Sequence, residues 1–219
     1  MSSTGLEVLK TLYDHVEERQ QGKYLVEQSK KFGLCVDDIG VVAEPIYTTG
    51  VVREHYSLFF TPAYTSSRDR VPSKPNGAEA DKAIAIFHCN MEQIEISAID
   101  EFVEHSGSGF SILEVYHRSP TDLQVDLYEA TTGKKICSYT YSTQCKLRLN
   151  QYIILGYTEK NKDGKDEFMG LTKDFKIGRI VDLLKEKYPD ITYNTKLHRY
   201  IGTDENGREI KFNQLGQLY

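Results

Sequence analysis

With 219 residues, 39% of them hydrophobic and 27% charged, the chain is long enough to bury one substantial core. A formal charge of -5 and a pI near 5.7 argue against a protein that coats nucleic acid or anionic lipid with its whole surface. The charge is uneven: residues 1–132 hold 11 Lys/Arg against 21 Asp/Glu, whereas residues 133–219 hold 16 against 11.

At the N-terminus, MSSTGLEVLK lacks the apolar stretch of a secretory signal. Thr4 and Glu7 have capping-box spacing, and Leu6, Leu9, Leu12, Tyr13 and Val16 recur at helical steps. Tyr24, Leu25 and Phe32 suggest a second helical piece closed by Gly33, so residues 1–33 are predicted to form a helical layer. Residues 41–60 predict two strands around Thr49-Gly50, with Pro45 placing the first at an edge or bulge. Residues 61–82 hold three prolines without periodicity and are expected to be a long surface loop. Ala83–Phe87, the longest apolar run, fits a buried strand and falls far short of the ~20 residues of a membrane-spanning helix. Ser97 and Asp100 repeat the N-cap signature ahead of Ile99, Phe102 and Val103, which predicts a short helix ending at Ser106-Gly107.

Residues 109–171 are expected to form the central antiparallel sheet, a curled meander able to close in part. Strands 110–117 and 122–128 join through residues 118–121, which sets His117 opposite Asp122 and Phe110, Ile112 and Tyr116 beside Leu123, Val125 and Leu127. A three-residue loop, Thr131–Gly133, keeps Cys137, Tyr139 and Tyr141 on that core face if Gly133 adopts a left-handed conformation. The alternation runs on through Cys145, Leu147 and Leu149, so a bend is expected near 142–144. Strand 152–158, the turn Asn161–Lys165 and strand 167–171 follow. Residues 174–187 predict a helix, with Gly178 marking a close approach, and residues 196–213 a hairpin around Asp204–Gly207. The expected fold is α+β: a single domain, 1–219, with one curled antiparallel sheet flanked by the N-terminal helical layer and the C-terminal helix.

No glycine-rich nucleotide loop, His-Glu-x-x-His or EF-hand sequence is present. Cys35, Cys89, Cys137 and Cys145 form no Cys-x-x-Cys pair and read as reduced thiols of a cytoplasmic protein. No cofactor is implied. Cys35 or Cys89 as a nucleophile, with His88 or His117 as its base, lacks the helix N-terminus or cation that activates a thiolate. The sharpest chemical cluster is His117, Asp122, Gln144 and Lys146 on adjacent strands, a set that suits a metal-dependent hydrolase or nuclease. Asp126 is left out because this register pairs it with Ser138. Glu114 falls on the apolar face and is expected at the sheet's rim, reaching solvent. Lys146, Arg148, Lys173, Lys176, Arg179 and Arg199, interleaved with Tyr193, Tyr200 and Phe212, are the candidates for a single-stranded nucleic-acid surface. Because polar side chains on an open sheet face need no chemistry, the leading expectation is a non-enzymatic binding or assembly protein. Its partner is another protein or a second copy of itself, and no membrane is involved.

Overall fold

The computed structural model describes residues 3–61, 82–97, 99–107, 110–118 and 123–219. Among them, two compact units separate within the strand Lys134–Thr140, one reaching to Cys137 and the other spanning Ser138–Tyr219.

The first unit opens with helix α1 (Ser3–Leu12), which buries Leu9 against the first sheet. Three four-stranded antiparallel sheets follow, and in each the spatial order is the chain order. Sheet A comprises β1 (His15–Gln20), β2 (Lys23–Gln28), β3 (Lys31–Val36) and β4 (Gly40–Tyr47). Sheet B comprises β5 (Thr49–Val52), β6 (Tyr56–Thr61), β7 (Lys82–Phe87) and β8 (Glu92–Ser97). Sheet C comprises β9 (Ile99–Gly107), β10 (Phe110–Arg118), β11 (Leu123–Glu129) and β12 (Lys134–Thr140). The sheets stack face to face: Leu25, Leu34 and Val36 of sheet A pack on Phe59, Ile84 and Ile86, whereas Tyr56, Leu58 and Phe87 pack on Phe102, Leu113 and Val115 of sheet C. Sheet B is thus an inner layer, apolar on both faces, which is why its strand β7 reads AIAIF without alternation.

The second unit holds sheet D, β13 (Ile153–Lys160), β14 (Asp166–Thr172) and β15 (Ile177–Arg179), then α2 (Ile180–Lys187). Sheet E follows as β16 (Thr192–Asn194), β17 (Arg199–Thr203) and β18 (Glu209–Phe212). Four of its turns share one format. Residue i donates to the carbonyl of i+4, receives the N–H of i+3, and has its own side-chain oxygen bonded to the N–H of i+4. Asn161, Thr172, Asp204 and Asn213 occupy position i. Position i+3 has positive φ, as Gly164, Gly207 and Gly216 allow at no steric cost and Phe175 (φ 57°) does not.

The expectation of a single curled sheet between helical layers is overturned, since the described residues form five antiparallel sheets and two short helices. Only α1 survives from the predicted 1–33 layer. Tyr24, Leu25 and Val26 are consecutive and all buried, because β2 is covered on both faces; such a run carries no period of two and imitates a helix. Gly33 is a strand residue, not a cap: a Cβ there would lie 2.4 Å from the Ala43 carbonyl oxygen across the bulge in β4. Residues 99–107 form β9 instead of the predicted helix, with Phe102 and Val103 facing opposite sides of sheet C. The reversal predicted at Thr49-Gly50 falls at Arg53–His55, closed by the Arg53 N–H to Tyr56 carbonyl bond. The predicted helix at 174–187 starts only at Ile180, because the β14–β15 hairpin takes residues 166–179; Gly178 lies in β15, where an added Cβ would meet the Leu183 side chain at 3.3 Å. The long strand expected through Leu149 stops at Thr140. Gly133 is left-handed (φ 71°), as the three-residue loop requires, and Tyr139 is buried. Apart from Thr61 and Lys82 at its ends, the predicted long loop lies outside the described residues. No helix among the described residues is long and apolar enough to cross a membrane.

Candidate functional site

Strands β10 and β11 pair two residues further along than the sequence register, with His117 opposite Gln124 and Ile112 opposite Glu129. A two-residue shift leaves every side chain on its own face but changes its neighbours. Asp122, proposed opposite His117, lies outside the described residues. The carboxylate beside His117 is instead Asp126, which the sequence reading had set aside: Nε2 and Oδ2 are 3.2 Å apart. Lys135 of β12 places Nζ 2.8 Å from the other oxygen, and the Tyr128 hydroxyl approaches at 3.5 Å. Asp126 therefore ties three neighbouring strands together. With both oxygens facing cationic or donor groups, it is built to hold the sheet. The Tyr128 hydroxyl, buried beside this carboxylate, is pushed up to about 12, first by desolvation and then by Asp126.

Glu114 is buried, not at a rim. His105 Nε2 lies 2.7 Å from its carboxylate and the Tyr116 hydroxyl donates to it at 3.0 Å. Between sheets B and C, Glu104 accepts hydroxyls from Tyr56 (3.1 Å) and Ser111 (3.2 Å), and burial with this carboxylate raises the Tyr56 pKa well above its ordinary value. Buried Glu114 and half-buried Glu104 are satisfied carboxylates, each joining strands that burial alone would leave free to slide.

Among the described residues, the hydroxyl–imidazole pair with nucleophile–base geometry is Ser57 and His88. Ser57 Oγ is 2.8 Å from His88 Nε2, and His88 Nδ1 is 3.0 Å from the Glu54 carbonyl oxygen. The ring therefore donates from Nδ1 and accepts from Ser57. Desolvation lowers the His88 pKa to about 4, so the ring is neutral near pH 7. Ser57, however, has no exposed surface, and a nucleophile closed to substrate cannot attack it. The pair pins the β5–β6 turn to the β7–β8 turn, beside the His88 N–H to His55 carbonyl bond. Cys89, next along, is exposed, and Cys35 is buried against Tyr13 with its thiol raised by desolvation.

Gln144 and Lys146 fall in the second unit, in an irregular stretch between β12 and β13, where the Lys146 carbonyl accepts the Gln217 side-chain amide. They sit on no strand, so the strand adjacency that motivated the hydrolase reading is missing on their side. The candidate nucleic-acid residues are scattered. Arg148 is in the same irregular stretch and Lys173 in the β14–β15 turn. Lys176 pairs with Glu186. Arg179 pairs with Asp182 at 2.7 Å, and the Arg199 guanidinium lies over the Tyr219 ring at 5.1 Å. The Tyr193 and Tyr200 rings meet at a tilt of 56° with centroids 4.9 Å apart.

A different feature was only partly visible beforehand. Val8 and Leu12 are four residues apart on α1 and are 53% and 61% exposed, although Leu12 had been counted with the buried stripe. Leu9, which packs on Tyr24, Val26 and Cys35, fixes which side of sheet A carries the helix. Val41 pairs with Cys35 and so lies on that side; Ile46, next to the sheet-B-facing Tyr47, points there too by alternation. Both are exposed, at 45% and 59%. The sequence signal was the second apolar row on α1, hidden because Leu12 fits both rows. No protein-family model matches this chain, and no curated protein sequence matches it either.

Proposed function

We propose that the chain is a non-catalytic binding protein, and that it engages another protein through the α1-bearing side of sheet A. The observation that carries this reading is that four exposed large apolar side chains, Val8, Leu12, Val41 and Ile46, lie on one side of one layer. Single exposed apolar residues are ordinary, whereas several on one face mark surface that gains by being covered. At about 25 cal/mol per Å² of apolar area, each such side chain can return roughly 1 kcal/mol when a partner removes its exposed part from water. A further support is the polar interior: the carboxylates and imidazoles of sheets B and C are engaged in holding strands, which suits a scaffold.

The test is a photo-cross-linking amino acid at position 12, with the same group at exposed Lys162 of the second unit as control, in cells of the source organism. A discrete protein adduct at position 12 and none at 162 is expected. Absence of an adduct at position 12, or equal labelling at both, overturns the reading.

A further inference from the structure

We propose that the segment received by this face is basic and amphipathic, presenting an apolar row to Val8, Leu12, Val41 and Ile46 and lysine or arginine side chains to the carboxylates around them. This rests on the binding reading above and adds the chemistry of the partner.

The argument is one of charge. The α1 side of sheet A carries Glu7 on the helix, Asp14 at its exit, Glu18 on β1 opposite Tyr24, and Glu44 on β4 between Val41 and Ile46. Against these four carboxylates stand Lys10, whose ammonium is tied to Glu7 at 3.1 Å, and Lys31, which pairs with Gln28 and lies on that side by alternation with Phe32. Asp14 accepts the Ser29 N–H at 2.6 Å and Glu18 the Gly22 N–H at 3.0 Å, bonds that fix the carboxylates in place without cancelling their charge. The field is felt locally: burial is the main reason that the Tyr13 hydroxyl is pushed up to about 12 and that the Cys35 thiol and the Tyr24 hydroxyl are raised, with Glu44 adding to the first two and Glu18 to the third. An uncharged apolar segment would desolvate these carboxylates with nothing in return, and an acidic one would be repelled. A cationic amphipathic segment satisfies both the apolar row and its rim.

A second copy of this chain is the competing occupant. Its Ser138–Tyr219 unit carries 14 Lys/Arg against 11 Asp/Glu, and Lys160, Lys176, Arg179 and Lys211 there are already paired with acids. The net charge of that unit is only +3 (14 less 11), a weak answer to the rim.

The experiment uses the full chain and a fluorescent leucine/lysine peptide, helical and about four turns long. Its leucine/glutamate counterpart and a scrambled leucine/lysine peptide of equal charge serve as controls. The expected result is binding of the leucine/lysine helix at least about tenfold tighter than either control, weakening as salt rises. Glu7→Lys with Glu44→Lys should weaken it by roughly tenfold, and Leu12→Ser should do so at all salt concentrations. Circular dichroism and melting temperature, unchanged in these surface variants, show that the fold is intact. Equal binding of the leucine/glutamate peptide, or no loss in the double charge variant, overturns the basic assignment. The position-12 cross-link then judges the binding reading separately. A sedimentation mass at a multiple of 25.1 kDa that Leu12→Ser returns to the monomer assigns the face to a second copy and also overturns the proposal.

Discussion

His88 shows how a single ring can serve as a fastener and leave a pH signature. Its folded pKa of about 4 lies below the 6.5 of an unfolded chain, so between these values the unfolded state binds the extra proton. The neutral ring therefore contributes stability in full above pH 6.5, and loses that contribution as pH falls to 4. The imidazole is partly solvated, so the contribution is discounted to roughly 1–2 kcal/mol. Urea midpoints taken at pH 7 and pH 4.5 should fall less between the two in His88→Asn than in the natural protein; an equal fall removes His88 as a source. Ser29 and Lys30, at the β2–β3 turn, both have positive φ (52° and 62°), the backbone that Asn-Gly supplies more easily. Ser29→Asn with Lys30→Gly should stabilise the chain by about 1 kcal/mol, read as a higher urea midpoint with unchanged slope. At this scale the sequence was legible for faces and poor for neighbours. Alternation placed Glu114 correctly beside Ile112 and Tyr116, but its partner His105 comes from β9, a segment predicted helical. Asp126 was discarded because register, unlike face, depends on the exact length of the connection after Arg118.

Elements were legible where a turn residue fixed them. Gly133, Asn161–Lys165 and Asp204–Gly207 each mark a reversal whose backbone demands that residue type, and the structure turns at all three. They were illegible where strands are buried on both faces, because a run such as Tyr24–Val26 reports burial without reporting period. Backbone contacts between elements leave another trace. A Cβ on Gly156 of β13 would meet the Leu215 carbonyl oxygen at 2.0 Å, which no side-chain adjustment can relieve. Gly156→Ala should cost roughly 3 kcal/mol, whereas Gly164→Ala, in open space, is opposed only by its φ of 73° and should cost about 1. Chemical denaturation of the two variants decides; equal losses would mean that the β13 contact yields.

At the scale of the first unit, the middle sheet is the part on which both cores draw. Ile86 packs toward sheet A and its neighbour Phe87 toward sheet C, both with no exposed surface. Ile86→Ala and Phe87→Ala should each cost about 2–5 kcal/mol, and the double variant should be additive to about 0.5 kcal/mol because the two side chains pack in separate clusters. Strong coupling in the denaturation data would show one merged core. The apolar run around these residues announced a buried strand from sequence alone. The number of layers was not readable, since nothing local distinguishes a strand of one large curled sheet from a strand of several small ones. The same strand order has a bearing on how the molecule comes into being. Each sheet of the described residues is assembled from strands adjacent in the chain, so none of these strands waits for a distant partner. Such sequence-local pairing keeps loop-closure entropy small and folding fast for a protein this rich in β-structure. On the ribosome, sheet A can close before the strands of sheet B have been synthesised, and it then offers them a finished surface on which to settle.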